Sequence, residues 1–351
     1  MRLSLAFCYR LHRRLGLLLI VPLLAISGSG LVLIFFDQLR YSAEPYALDE
    51  PVQTALPPIE LIETIQRTKP DMRLIRLYLP SSNRQTARVL VQGDHEKLFA
   101  FLHPGTGKII RIRAASEKDW LDKLYQFHQG KWLGTIGQFL FSLCGGAVFL
   151  LWLFGLRLYK AISGKKKSMC YHRRIGFTLG GFLAAFTLCG ALLNYAAPLQ
   201  RWLKPAPDAP LFTRPQTVLS IQELLAIAKN IYPASSLERV YIDHPTQGVV
   251  MARYQDSGRI YLDRQNGQIL QLEKPLSHWL DWLYPLHSGR MFDIFRYPVL
   301  LLFGLSLLVL ALSGVIPIWR RRQTSNRVYL PALRQKINID NRRTLKKRRF
   351  R

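Results

Sequence analysis

Eight histidines occur in the chain, at 12, 95, 103, 128, 172, 244, 278 and 287, and four of them recur in matching surroundings. His12-Arg13-Arg14-Leu15-Gly16 returns 160 positions later as His172-Arg173-Arg174-Ile175-Gly176. Leu124-Tyr125-Gln126-Phe127-His128-Gln129-Gly130-Lys131 returns 159 positions later as Leu283-Tyr284-Pro285-Leu286-His287-Ser288-Gly289-Arg290. An imidazole ligates a metal through one ring nitrogen while the other donates the hydrogen bond that orients it. The pairs His12/His172 and His128/His287 are therefore candidate ligands. Zinc suits them poorly, because no Cys or carboxylate completes a tetrahedral set. His95, His103 and His244 fall in turns and read as solvated residues, and His278 has no histidine counterpart in the first half.

The elements that must position these residues are long and uncharged. Residues 15–36, 132–156, 175–197 and 297–319 contain no Asp, Glu, Lys or Arg. A bilayer core needs about 20 apolar residues at 1.5 Å rise per residue, so four spans are expected and a soluble globular protein is excluded. The first run is 22 residues long, beyond the roughly 7–15 of a cleavable signal, and reads as a retained anchor.

Charge supplies the orientation. A net charge of +27 would suggest nucleic acid as a partner, but its distribution points elsewhere. Between Asp37 and Tyr125 there are 13 basic and 12 acidic residues, and between Ala196 and Pro285 there are 9 and 8. The segments 1–14, 157–174 and 319–351 hold 24 basic residues and the single acid Asp340. Lys and Arg retained in short segments mark the cytoplasmic side. The expected order is a cytoplasmic N-terminus (1–14), span one (15–36), a periplasmic domain (37–131), span two (132–156), a cytoplasmic loop (157–174), span three (175–197), a second periplasmic domain (198–296), span four (297–319) and a basic cytoplasmic tail (320–351). Nucleic acid is not an expected partner; the bilayer is. The tail residues 342–351 could dock an acidic partner or anionic lipid, but read first as positive-inside retention. Cys8, Cys144, Cys170 and Cys189 all lie in spans or on the cytoplasmic side, so no disulfide framework holds the exported domains.

The recurrence extends beyond the histidines. Ser29-Gly30 matches Cys189-Gly190, and Thr106-Gly107-Lys108-Ile109-Ile110 matches Asn266-Gly267-Gln268-Ile269-Leu270. Each half is then a span, an exported domain and a return span in the same orientation, a parallel repeat about an axis along the membrane normal. Both exported segments read as a helix followed by an antiparallel meander. In the first, Leu56-Pro57-Pro58 opens a helix through Ile59, Leu61, Ile62 and Ile65, followed by strands near 73–79, 87–92, 98–102 and 108–112. In the second, Ser220 caps a helix carrying Leu224, Leu225, Ile227 and Ala228, followed by strands near 237–242, 249–254, 259–262 and 268–272.

Two helix-plus-meander units, each closing on a hairpin with Gly before an apolar pair, resemble PepSY domains. Set between four spans with His-Arg-Arg near the first and third, the chain resembles the PepSY-associated transmembrane family over residues from about 8 to 322. The resemblance implies a membrane α-helical fold of four transmembrane helices in two parallel repeats, each carrying an external α+β PepSY-like domain. Within that family are bacterial inner-membrane siderophore-iron reductases with two haems. Two haem b groups are accordingly expected, one between His12 and His172 near the cytoplasmic face and one between His128 and His287 near the periplasmic face. Arg13 and Arg173 inside, and Lys131 and Arg290 outside, are available to the propionates, as are Arg14 and Arg174. Covalent attachment is excluded by the lack of Cys-x-x-Cys-His. Glycines such as Gly28, Gly30, Gly145, Gly146, Gly180, Gly181, Gly190, Gly304 and Gly314 would let a macrocycle approach closely, and also suit plain helix packing.

The activity so implied is an oxidoreductase one, reduction of ferric-siderophore iron in the periplasm as part of iron uptake. No Gly-x-Gly-x-x-Gly lies between a strand and a helix, so the electron donor is expected to be a membrane quinol or a cytosolic reductase. Trp120, Tyr125, Trp132, Trp279, Trp282 and Tyr284 could shape a substrate recess but read first as an aromatic belt. The alternative is a non-redox PepSY membrane anchor that binds or regulates an envelope peptidase or another exported protein; it predicts four dispensable histidines. Transport of the intact iron complex fits less well, since the spans lack intramembrane acids and broken polar segments.

Overall fold

The computed structural model describes residues 4–42, 45–161, 167–207, 219–243 and 248–314. In chain order the elements are α1 (Leu5–Leu33), α2 (Phe36–Tyr41), α3 (Pro58–Thr68), β1 (Arg73–Tyr78), β2 (Ala87–Gln92), β3 (Lys97–Leu102), β4 (Ile109–Ala114), α4 (Trp120–His128) and α5 (Gly134–Ala161). They continue with α6 (Lys167–Thr178), α7 (Gly180–Leu193), α8 (Ala196–Leu203), α9 (Ile221–Ile231), β5 (Leu237–Tyr241), β6 (Val249–Tyr254), β7 (Arg259–Asp263), β8 (Ile269–Glu273) and α10 (Trp279–His287). The last is α11, over 296–314. His244, the last residues of the fourth apolar run and the basic tail 320–351 lie outside the described residues. The chain divides into a helical unit, drawn from the described parts of Met1–Leu31, Leu140–Leu188 and Pro298–Arg351, and a sheet unit, Val32–Phe139 with Cys189–Tyr297.

Three helical segments are long and apolar enough to cross a membrane: Leu5–Leu33, Lys131–Tyr159 and Trp279–Gly314. A fourth qualifies only if the pair Tyr171–Thr178 and Gly180–Leu193, bent by 65°, is one span. The uncharged run 175–197 is thus not a single straight helix. Thr178 Oγ1 donates to the carbonyl of Arg174 at 2.8 Å, a side-chain bond that bends helices. Gly180 follows and has the Trp152 ring against it; a Cβ there would lie 2.6 Å from Trp152 Cδ1. Inside the helical unit Leu19 and Leu23 of α1, Cys144 and Val148 of α5, and Leu307 and Ala311 of α11 form one buried cluster.

The sheet unit is built on one eight-stranded antiparallel sheet, ordered β4-β3-β2-β1-β5-β6-β7-β8. Alternation sends Val89, Val91, Val250, Ala252, Ile260 and Leu262 to one face, where the apolar stripes of α3 and α9 cover them. The two meanders join edge to edge: β1 and β5 pair antiparallel, with Arg76 opposite Tyr241, Leu77 opposite Val240 and Tyr78 opposite Arg239. Joining them removes two exposed inner strand edges at once.

Ion pairs built on buried cations hold the helices that carry histidine to neighbouring elements. Arg40 of α2, 7% exposed, meets Asp119 at 2.8 Å and Asp122 at 2.7 Å, the N-cap and N3 residues of α4. Lys204, just past α8, meets Glu273 of β8 and Asp281 of α10, both at 2.9 Å. Burial alone would raise the Asp122 carboxyl, but the hydrogen bond and charge of Arg40 and the Asp119 backbone N–H outweigh it and hold the group below its ordinary value. Its contribution is therefore complete above the unfolded carboxylate range, about pH 4, and is lost as pH falls through the lower folded value. Asp122→Ala is expected to cost about 2–3 kcal/mol, less than the 3–5 of a fully buried pair because Asp122 is 26% exposed. Urea titrations followed by tryptophan fluorescence at pH 7 and below pH 4 would show a gap between wild type and variant that narrows in acid; a constant gap would refute this account.

Candidate functional site

The four recurring histidines come together as two pairs. In the helical unit the His12 ring of α1 and the His172 ring of α6 lie with centroids 6.2 Å apart and planes at 90°. His12 Nδ1 is 3.0 Å from the carbonyl of Leu151 on α5. A carbonyl only accepts, so Nδ1 carries the proton and Nε2 keeps the lone pair. His172 Nδ1 is 3.0 Å from Ser313 Oγ, whose hydroxyl donates to the carbonyl of Leu310 at 3.2 Å. The hydroxyl proton being so used, Oγ accepts from Nδ1, and His172 takes the same tautomer. Leu151 and Leu310 are 159 positions apart, the spacing of the second histidine pair, so corresponding carbonyls anchor both rings.

Corresponding glycines make room beside both rings. A Cβ at Gly155 would stand 3.5 Å from His12 Cε1, and one at Gly314, again 159 positions on, 3.9 Å from His172 Cε1. Both rings line a mostly apolar cavity of about 280 Å³ with Arg13, Arg173, Trp152 and Tyr159, at the small end of the range for ligand pockets. Arg173 Nη2 donates to the Tyr159 carbonyl at 3.0 Å. Two buried donors in the cavity wall, Trp152 Nε1 and Arg173 Nε, have no acceptor among the described residues, a state that costs roughly 1–3 kcal/mol for each group unless another partner supplies one.

In the sheet unit His128 and His287 close α4 and α10. Their ring centroids are also 6.2 Å apart, with planes at 36°. Gly130 and Gly289, at φ 75° and 73°, end these helices two residues later in the left-handed region. Gly190 of α7 lies directly against the second ring: a Cβ there would be 2.5 Å from His287 Cε1. Of the cations expected nearby, Arg290 is engaged by Asp37 at 3.8 Å and Lys131 is exposed. Arg296, which sequence reasoning did not single out, holds Asp37 at 3.3 Å and donates to the Ser288 carbonyl at 3.0 Å.

The other histidines have local roles. His278 caps α10 by accepting from the Leu280 N–H at 3.3 Å, His103 accepts from Gly105 N–H in a turn, and His95 is exposed. The belt residues Trp120, Trp132, Trp279 and Trp282 are exposed.

A metal–imidazole bond of about 2.0 Å places two opposed rings on one metal with centroids roughly 6.3 Å apart. Both pairs stand at that separation. Among the described residues no three His, Cys, Asp or Glu side chains converge on a metal position. A metal at either pair would therefore take its remaining ligands from something other than these side chains.

A model of the family described as the PepSY-associated TM region matches residues 9–322. No curated protein matches the chain. Among solved structures, one described as a lipoprotein of Clostridium difficile 630 is similar over 63% of this chain and 95% of its own, at 10% identity and a TM-score of 0.28, a likeness too weak to bear on fold or function.

Proposed function

The chain belongs to the family of the PepSY-associated TM region, and from that membership we propose a di-haem transmembrane electron-transfer protein that reduces ferric-siderophore iron. The observation that carries the reading is the 6.2 Å separation of two histidine pairs in two different units. His12 and His172 would hold one haem b and His128 and His287 the other, each through Nε2. The Leu151 carbonyl and the Ser313–Leu310 relay orient the first pair. Arg173 Nε and Trp152 Nε1, unmatched among the described residues, are donors for an anionic substituent in the first cavity, and Arg13 adds a second cation. Lys131 and Arg290 would serve the second.

The proposal includes four spans, with the bent pair α6–α7 as the third, in two parallel repeats, and both termini on the cytoplasmic face of a bacterial inner membrane. The sheet unit would then be periplasmic. Bound haem supplies one-electron chemistry, with a quinol or cytosolic reductase as donor. Oxygen ligands hold hard Fe(III) tightly and Fe(II) more weakly, so a single electron loosens the metal from its siderophore.

Detergent-purified protein is expected to show the absorption of six-coordinate b-type haem, shifting on dithionite reduction, at two haems per chain. A preparation without haem bands, from cells grown with ample haem, would overturn the reading and leave the non-redox PepSY anchor.

A further inference from the structure

The sheet's second face, opposite α3 and α9, is cationic and aromatic. Cross-strand register places one row along it: Arg111 opposite Phe101, Phe101 opposite Arg88, Arg88 opposite Tyr78, Tyr78 opposite Arg239, Arg239 opposite Arg253, and Arg253 opposite Arg259. The neighbouring row pairs Arg76 with Tyr241 across the β1–β5 junction. In the central strip the Arg76 guanidinium lies 3.8 Å over the Tyr241 ring, Arg88 4.8 Å and Arg239 5.3 Å over the Tyr78 ring.

This strip carries more positive charge than the described residues neutralise. Among the described residues Glu238 is the one acid paired there, shared between Arg239 and Arg253. Arg76 and Arg88 form no ion pair among the described residues. The Nε atoms of Arg76 and Arg239 are buried donors with no acceptor among the described residues. Burial and the neighbouring Arg239 and Arg259 charges push the Arg253 guanidinium below its ordinary value despite Glu238. Four guanidiniums against one carboxylate, two of them with unmatched N–H groups, form a receptor for a polyanion. The tyrosine and guanidinium faces suit planar aromatic groups.

The same face is also linked to the helices that carry the second histidine pair. At its two ends the same face reaches the helices that carry these histidines: Arg113 stands 3.9 Å from Asp119, the N-cap of α4, and Arg259 3.7 Å from Asp281 of α10.

We infer that the strip of Arg76, Arg88, Arg239 and Arg253 with Tyr78 and Tyr241 binds an anionic, aromatic iron chelate, a ferric tris-catecholate, as the substrate class of the proposed reduction. The inference rests on that proposal and narrows it. A tris-catecholate core is trianionic and presents three flat rings, whereas a tris-hydroxamate core is neutral and offers neither feature.

The test uses full-length purified protein and a hexadentate gallium(III) tris-catecholate, which binds like the iron complex but accepts no electron. Saturable quenching of protein fluorescence is expected, weakened about ten-fold or more in the double variant Arg76→Gln/Arg239→Gln, on the scale of a lost charge-assisted hydrogen bond. Arg88→Gln, which breaks no ion pair and so spares the fold, should also weaken binding. Unchanged affinity in both variants would overturn the inference, as would equal binding of a neutral gallium(III) tris-hydroxamate or equal competition by inorganic phosphate. Protein that binds the gallium chelate but holds no haem would refute the proposed function and leave this site standing; haem-loaded protein indifferent to the chelate would do the reverse.

Discussion

His172→Ala protein is expected to purify with one haem where, under the proposed function, the wild type would hold two, a loss of about half the pyridine-haemochrome signal. The His172 ring stands 6.2 Å from that of His12, so under the proposed function the variant would lose one of the two residues that hold that haem, while His128 and His287 would still hold the other. His128→Ala should remove the complementary half, and the double variant all of it. The relay behind His172 gives a graded control. Ser313→Ala deletes the acceptor of the Nδ1 proton but leaves both imidazoles. Loss of such an orienting partner typically weakens metal affinity about 10–100-fold, so this variant should load haem at high supply and lose it on dilution. At His12 the acceptor is the Leu151 carbonyl, which no side-chain substitution removes, so no matching variant exists there. Full haem content in all four single-histidine variants would overturn the assignment. The two sites are read separately, since the pairs belong to different units.

Much of this arrangement was legible beforehand, because its signals are local. Strand starts at Arg73, Ala87, Leu237, Val249 and Arg259 follow from apolar alternation bounded by turn residues, and the structure has them there. Ser220 caps α9 through the Glu223 N–H as its type and spacing suggest. The recurrence of His12 and His128 identified which four of eight histidines come together, since an offset survives when each local surrounding is nondescript.

What was not legible depends on distant partners or on backbone atoms. The β1–β5 junction pairs residues about 160 positions apart, and nothing in either strand distinguishes an edge that will be joined from one that will be exposed. The bend between α6 and α7 arises where glycines 180 and 181 take the Trp152 ring, a contact with another span that the uncharged run conceals. The anchors of His12 and His172 end on carbonyls, which every residue carries. The offset that paired the histidines would also have paired Gly155 with Gly314 and Leu151 with Leu310, but neither pair announces itself by type.

Gly190→Ala should act as strongly as removing His287 itself, though it touches no ligand. Alanine is the better helix former, and where space allows the exchange usually stabilises a helix by about 0.4–1 kcal/mol. At Gly28 and Gly146 nothing lies within 4 Å of the added carbon, so alanine there should keep both haems and leave unfolding unchanged or slightly harder. At Gly190 the added carbon would sit 2.5 Å from Cε1, 3.0 Å from Nδ1 and 3.1 Å from Nε2 of His287. Three ring atoms are struck together, so the imidazole cannot relieve the clash by a small rotation about its own axis; it must swing away from α7. Moving the ring by even an ångström breaks the 6.2 Å spacing to His128, and a misplacement of that order is enough to disable a preorganised site. The expected product is a folded protein with normal helix content that keeps the haem of His12 and His172 and loses the second. Gly155→Ala, whose carbon meets His12 Cε1 at an ordinary 3.5 Å, should be tolerated. Visible spectra of the four variants decide the matter: if Gly190→Ala retains two haems while its helix content is native, the His287 ring does not occupy a ligand's position against α7.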